Sequence, residues 1–198
     1  MSLDRRSFLR NATAALPVVA LPACAPGSAG TSASSGARTL DPALLRAVAD
    51  VTLPSELDAS ARERAVTEFE RWLTEFTPVA ERDHGYGTGD LTYTGPDPAP
   101  GWRAQLEALD LESKQRFARG LAEIGTGERQ RMVRAQLRRE RGPLPGPAEA
   151  QHVALGLIAW WSMTPQATDL CYRARIGRET CRPLDRTGDE PAPLGQGA

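Results

Sequence analysis

Apolar residues recur at helical spacing along most of the chain beyond residue 40. Behind Asp41-Pro42, where proline suits a first helical turn because its missing N–H would be unpaired there anyway, Leu44, Leu45, Val48 and Val51 fall on one face until Pro54 ends the run. A second amphipathic helix is predicted from about Ser60 to Phe76, with Val66, Phe69, Trp72, Leu73 and Phe76 on its apolar side. From Asp83 to Gly101 the chain is too rich in glycine and proline for a regular element, and a long irregular loop is expected. Trp102 to Leu109 reads as a short helix, with Asp110 capping the next, where Leu111, Phe117, Leu121 and Ile124 recur at helical spacing.

Gly125-Thr126-Gly127 then breaks the pattern before a charged helix with a narrow Met132, Val133 and Leu137 stripe. This stretch holds Arg129, Arg131, Arg134, Arg138, Arg139 and Arg141, diluted by Glu128 and Glu140, and reads as a solvated face. After Pro143, Pro145 and Pro147, Val153 to Trp161 is apolar on almost every side, as in a helix at the centre of a bundle or beneath a partner. Adjacent Trp160 and Trp161 point about a hundred degrees apart on a helix. One can fill the core while the other serves as a binding anchor, although burial of both fits the pattern equally well. Beyond Thr164-Pro165 one or two more helical turns are expected, then an extended tail. No strand pair with alternating polarity is visible. The expected fold is all-α: a single small domain of five or six helices with long irregular loops.

The first forty residues follow a different pattern. Asp4-Arg5-Arg6-Ser7-Phe8-Leu9-Arg10 resembles the twin-arginine export signal, with Arg5, Arg6, Phe8 and Leu9 at its defining positions. The apolar segment from Ala12 to Ala23 is shorter than the roughly 20 residues a bilayer span needs and is interrupted by Pro17 and Pro22. Leu21-Pro22-Ala23-Cys24 resembles a lipobox, departing from it at Pro22, and so nominates Cys24 for lipidation; cleavage elsewhere is the other outcome. Residues 25–39, rich in Ser, Gly and Ala, read as a flexible tether. The expected organisation is a signal over 1–24, a tether over 25–39, a helical domain over 40–185 and a disordered tail over 186–198.

A formal net charge of −1 gives no reason to expect a nucleic-acid partner. With three cysteines, lipid on Cys24 would leave Cys171 and Cys181 as a disulfide pair in an oxidising compartment, or as two free thiols. Neither His84 in the Gly-rich loop nor His152 at a helix start belongs to a metal-ligand or haem-attachment spacing. No nucleophile elbow, dinucleotide fingerprint or P-loop is present, and no catalytic, cofactor-binding or metal residue is nominated. Export through a route for folded cargo therefore raises the question of what carries the cofactor.

A twin-arginine leader, a flexible stretch and then "LLRAVADVTLPSE", with Asp50 and Pro54 in an Asp-x-x-x-Pro pattern, resembles the gluconate 2-dehydrogenase subunit 3 family. The stretch "LDLESKQRFARGLAEI" is similar to a family helix, and the aromatic segment from Trp160 to Tyr172 occupies the corresponding place. The resemblance implies a non-catalytic small subunit without a cofactor of its own. It would escort a large FAD-containing dehydrogenase of the glucose-methanol-choline type through the twin-arginine translocase, with a multihaem cytochrome c completing a complex at the membrane. On this reading Trp160, Trp161 and Tyr172 are the candidate partner interface, and the chain is exported to the periplasmic face, held by its lipid. A stand-alone exported lipoprotein that binds an envelope component, through the Gly-rich loop and Trp161, is the alternative.

Overall fold

A computed structural model describes residues 39–83, 91–138, 140, 142–176, 188–191 and 193–195. These residues are mostly helical: α1 (Pro42–Thr52), α2 (Ala59–Glu75), α3 (Ala99–Phe117), α4 (Thr126–Leu137), α5 (Val153–Ser162) and α6 (Pro165–Tyr172). Between α2 and α3 lies a short antiparallel pair, β1 (Glu81–Asp83) and β2 (Thr92–Tyr93), with Glu81 opposite Tyr93 and Asp83 opposite Thr92.

The helix starts follow from capping. Asp41 accepts hydrogen bonds from the Ala43 and Leu44 amides at 2.8 and 3.1 Å, and Asp58 accepts one from Ala61 at 2.6 Å. Thr164 caps α6 ahead of Pro165, and the Glu128 carboxylate reaches back 3.0 Å to the Gly125 amide at the start of α4. Amides that lack a partner in the first turn are satisfied at each of these positions.

Two expectations change. Trp102 to Leu109 and the segment after Asp110 form one helix rather than two, because Asp110 lies inside α3, where it pairs with Lys114 at 2.6 Å across one turn. The same carboxylate accepts the Leu121 amide at 2.8 Å, so it orders the turn after α3 instead of starting a new helix. The continuous register buries Trp102, Leu106, Leu109 and Ser113 and leaves Leu111 exposed. The β1–β2 pair replaces part of the irregular loop. Both residues of β2 are exposed, so backbone pairing alone makes the strands and no apolar alternation announces them.

The core gathers around α1, which packs against α2, α3, α4 and α5, with Leu45 and Val48 fully buried. Beside it lies an aromatic cluster. Phe69 stacks on Trp72 and on Trp102 at centroid distances of 5.5 and 5.6 Å, and meets Trp160 edge-on at 5.7 Å. The Trp102 indole N–H donates to the Ala150 carbonyl at 3.1 Å, and its ring lies against Gly156 of α5. A Cβ at Gly156 would overlap that ring, with Cη2 only 2.7 Å away. Glycine at this point in an apolar helix is required by the close approach of α3 and α5.

Gly156→Ala should therefore destabilise the domain by about 2–3 kcal/mol despite the helix propensity gained, seen as a lower midpoint in urea unfolding. Ala118, which ends α3 in the left-handed region at φ 57°, sits where glycine is favoured. Ala118→Gly should gain about 1 kcal/mol in the same measurement.

Candidate functional site

A cleft of about 420 Å³ opens between α2, α5 and α6. Its apolar walls come from Leu57, Ala65, Trp160, Trp161 and Leu170, and Leu194 closes one side. Leu194 is held there because its amide donates to the Arg173 carbonyl at 3.2 Å, next to an antiparallel bridge between Ala174 and Pro193. Two of the three residues nominated as a partner interface thus meet in one cavity. Tyr172, 71% exposed, lies on the α6 face that carries Pro165 and Asp169, one turn beyond the cleft.

The tryptophans divide their roles differently from the expectation that Trp161 forms an exposed surface. Trp161 is only 6% exposed, whereas Trp160 is half-buried and links the cleft to Phe69. The physical reason is that α5 is enclosed by α1, α2, α3 and α6, and only a strip through Leu155, Ile158 and Ser162, with Trp160 on another side, escapes full burial. The Trp161 indole N–H is buried with no acceptor among the described residues. Such a donor ordinarily finds a partner, and leaving it unpaired costs about 1–3 kcal/mol.

Most polar groups at the rim are already engaged. Asp58 is held below the usual carboxylate range by the Ala61 amide and then by the Ser60 hydroxyl, so it remains an ionised cap. Asp169 accepts the Ile176 amide at 2.7 Å, and Arg64 donates to the Ser60 hydroxyl at 3.0 Å. Glu68 is exposed and makes no hydrogen bond or ion pair with the described residues.

A second polar feature joins α1, α2 and α4. Asp50 pairs with Arg129 at 2.7 Å and with Arg62 at 3.8 Å, while Arg62 also donates to the Leu57 and Pro54 carbonyls at 3.0 and 3.4 Å. Arg129 departs from the reading of its stretch as a solvated face: its side chain is 13% exposed, whereas Arg131, Arg134 and Arg138 are exposed. Sequence reasoning missed this pairing because its partners lie 79 positions apart.

His152 caps α5. Its Nδ1 accepts the Ala154 amide at 3.1 Å and its Nε2 lies 2.9 Å from Gln136 Oε1, a pair that fits the neutral ring with Nε2 protonated. Cys171 is exposed near the end of α6. The export motif from Arg5 to Leu9, Cys24, His84, Arg139, Arg141 and Cys181 lie outside the described residues, and the proposed Cys171–Cys181 pairing with them. Among the described residues no cluster of His, Cys, Asp and Glu could hold a metal ion, and no helix is long and apolar enough to cross a membrane.

Burial pushes the His152 imidazole below its ordinary value, against a smaller opposite pull from Glu140. The unfolded chain therefore takes up a proton that the native state resists, so stability is full above about pH 6.5 and falls as pH drops below it. His152→Asn keeps a capping oxygen and removes the titration. Its urea midpoint should fall less than that of the unaltered chain between pH 7.5 and pH 5, as measured by circular dichroism.

Compared with protein-family models, with curated proteins and with solved structures, the chain matches none.

Proposed function

We propose that this chain is a non-catalytic, mostly helical small subunit that escorts a flavin-dependent sugar or sugar-acid dehydrogenase through twin-arginine export and tethers it at the membrane. The dehydrogenase, of the glucose-methanol-choline type, would fold and load FAD before the pair crosses together, and a multihaem cytochrome c would complete the complex. Cys24 would supply the lipid anchor on the periplasmic face. The observation that carries the reading is the cleft walled by Trp160 and Trp161 beside exposed Tyr172, on a domain whose leader resembles a signal for folded cargo. Aromatic side chains around a cavity, with Asp58 and Asp169 at its rim tied up in a helix cap and a backbone bond, suit the capture of another chain.

Two measurements test this. The tagged chain recovered from the envelope should bring with it a large polypeptide with flavin absorbance; recovery alone and colourless would count against the proposal. Arg5→Lys together with Arg6→Lys should leave both polypeptides in the cytoplasm. Normal export of the companion in that variant would refute escorting.

A further inference from the structure

We infer that the cleft between α2, α5 and α6 receives a segment of the partner polypeptide presenting a large apolar side chain beside a lysine or arginine. The inference rests on the escort reading and adds to it the place and the chemistry of recognition. Three observations lead to it.

The first is shape. A cavity of about 420 Å³ has room for an apolar anchor, and its floor of Leu57, Ala65 and Trp161 is already buried. Apolar contact continues outside it: Tyr172 is 71% exposed on the same face of α6, and Met163, in the turn that joins α5 to α6, is 65% exposed. A small ligand confined to the cavity would leave both uncovered, whereas a polypeptide running along α6 would cover them.

The second is Trp161, a lining residue of the cleft whose indole N–H is buried with no acceptor among the described residues. A segment that packs into the cavity and shifts the enclosed Trp161 ring brings backbone carbonyls, one of which can accept from it. That bond would be made only in the complex, so it favours occupancy more than a bond already satisfied in the free chain.

The third is charge. Asp58 caps α2, Asp169 holds the Ile176 amide and Arg64 is bonded to Ser60, which leaves Glu68 as the rim carboxylate open to a new partner. A cation flanking the anchor would meet Glu68, and half-buried Trp160 lines the same cavity.

The test uses the full chain, produced with its leader and co-expressed with the candidate dehydrogenase. Gln166, at the mouth of the cleft, is replaced by p-benzoylphenylalanine; Leu111, exposed on α3 and not part of the cleft, is replaced likewise as the control. Light should link position 166, and not 111, to a segment of the dehydrogenase that contains an apolar residue next to lysine or arginine, mapped by mass spectrometry. Glu68→Arg should lower the crosslinked yield about tenfold and Glu68→Gln by a smaller factor, since both act at an exposed site with no hydrogen-bond or ion-pair partner among the described residues. Trp161→Phe, which keeps an aromatic ring and removes the N–H, should lower it several-fold with the helical circular dichroism retained.

If the dehydrogenase co-purifies but links only through position 111, or through 166 with a yield indifferent to Glu68→Arg, the cleft assignment is wrong and the escort reading stands. If no dehydrogenase co-purifies and position 166 still captures a basic-apolar segment of another exported polypeptide in a Glu68-dependent way, the escort reading is wrong and the cleft assignment stands. Capture of nothing, or retention of a small molecule in the cleft that excludes the segment, overturns the inference outright.

Discussion

The approach of α3 to α5 through Trp102 and Gly156 is the contact on which the rest of the molecule depends. The indole fits only because residue 156 has no side chain, and its N–H is tied to the Ala150 carbonyl just ahead of α5. With that distance set, Phe69 of α2 can stack on Trp102 and meet Trp160 of α5 edge-on, so three helices share one aromatic cluster. Aromatic pairs of this geometry contribute about 0.5–1.5 kcal/mol beyond burial. They also fix orientation: once Trp160 is held against Phe69, the next side chain, Trp161, is turned into the wall of the cleft. The candidate site is therefore an outward extension of the core rather than a separate surface feature.

The opposite side of α1 is organised by charge. Asp50 meets Arg129 of α4 and, at longer range, Arg62 of α2, while Arg62 also collects carbonyls from the turn that contains Pro54. Arg129 additionally donates to the Ile124 carbonyl at 3.0 Å. A guanidinium with several fixed donors can serve both carboxylate and backbone at once, which a lysine could not do in the same geometry. The Asp-x-x-x-Pro pattern at Asp50 and Pro54 thus has a local physical role: the carboxylate and the carbonyl it supplies hold the turn between α1 and α2 and the start of α4 together.

Capping also shapes what the cleft can recognise. Asp58 and Thr164, the capping residues just ahead of two helices at its edge, have their side-chain oxygens turned back toward their own backbone. The cleft consequently offers apolar surface beside the exposed Glu68 carboxylate, with Arg64, Gln166 and Arg175 also in its lining, a set suited to binding and selection. His152 follows the same logic on the far end of α5, where both ring nitrogens are engaged in positioning the helix start.

Much of this was legible along the chain. The periodicity around Leu45 and Val48, around Phe69 and Leu73, and through Val153 to Trp161 marked three helices close to their final bounds, because amphipathic spacing and capping are local properties. The single helix through Asp110 was hidden, since an aspartate reads as a cap unless its lysine one turn on and a distant amide claim it first. The β1–β2 pair left no signal because Glu81, Arg82, Thr92 and Tyr93 are all exposed and carry no apolar alternation. Which tryptophan would be enclosed, why position 156 must be glycine, and that Arg129 would leave its solvated neighbours for Asp50 were decided only in three dimensions. Each depends on which helices come together around α5 and α1, and packing of that kind joins residues too far apart in the chain for any local pattern to record.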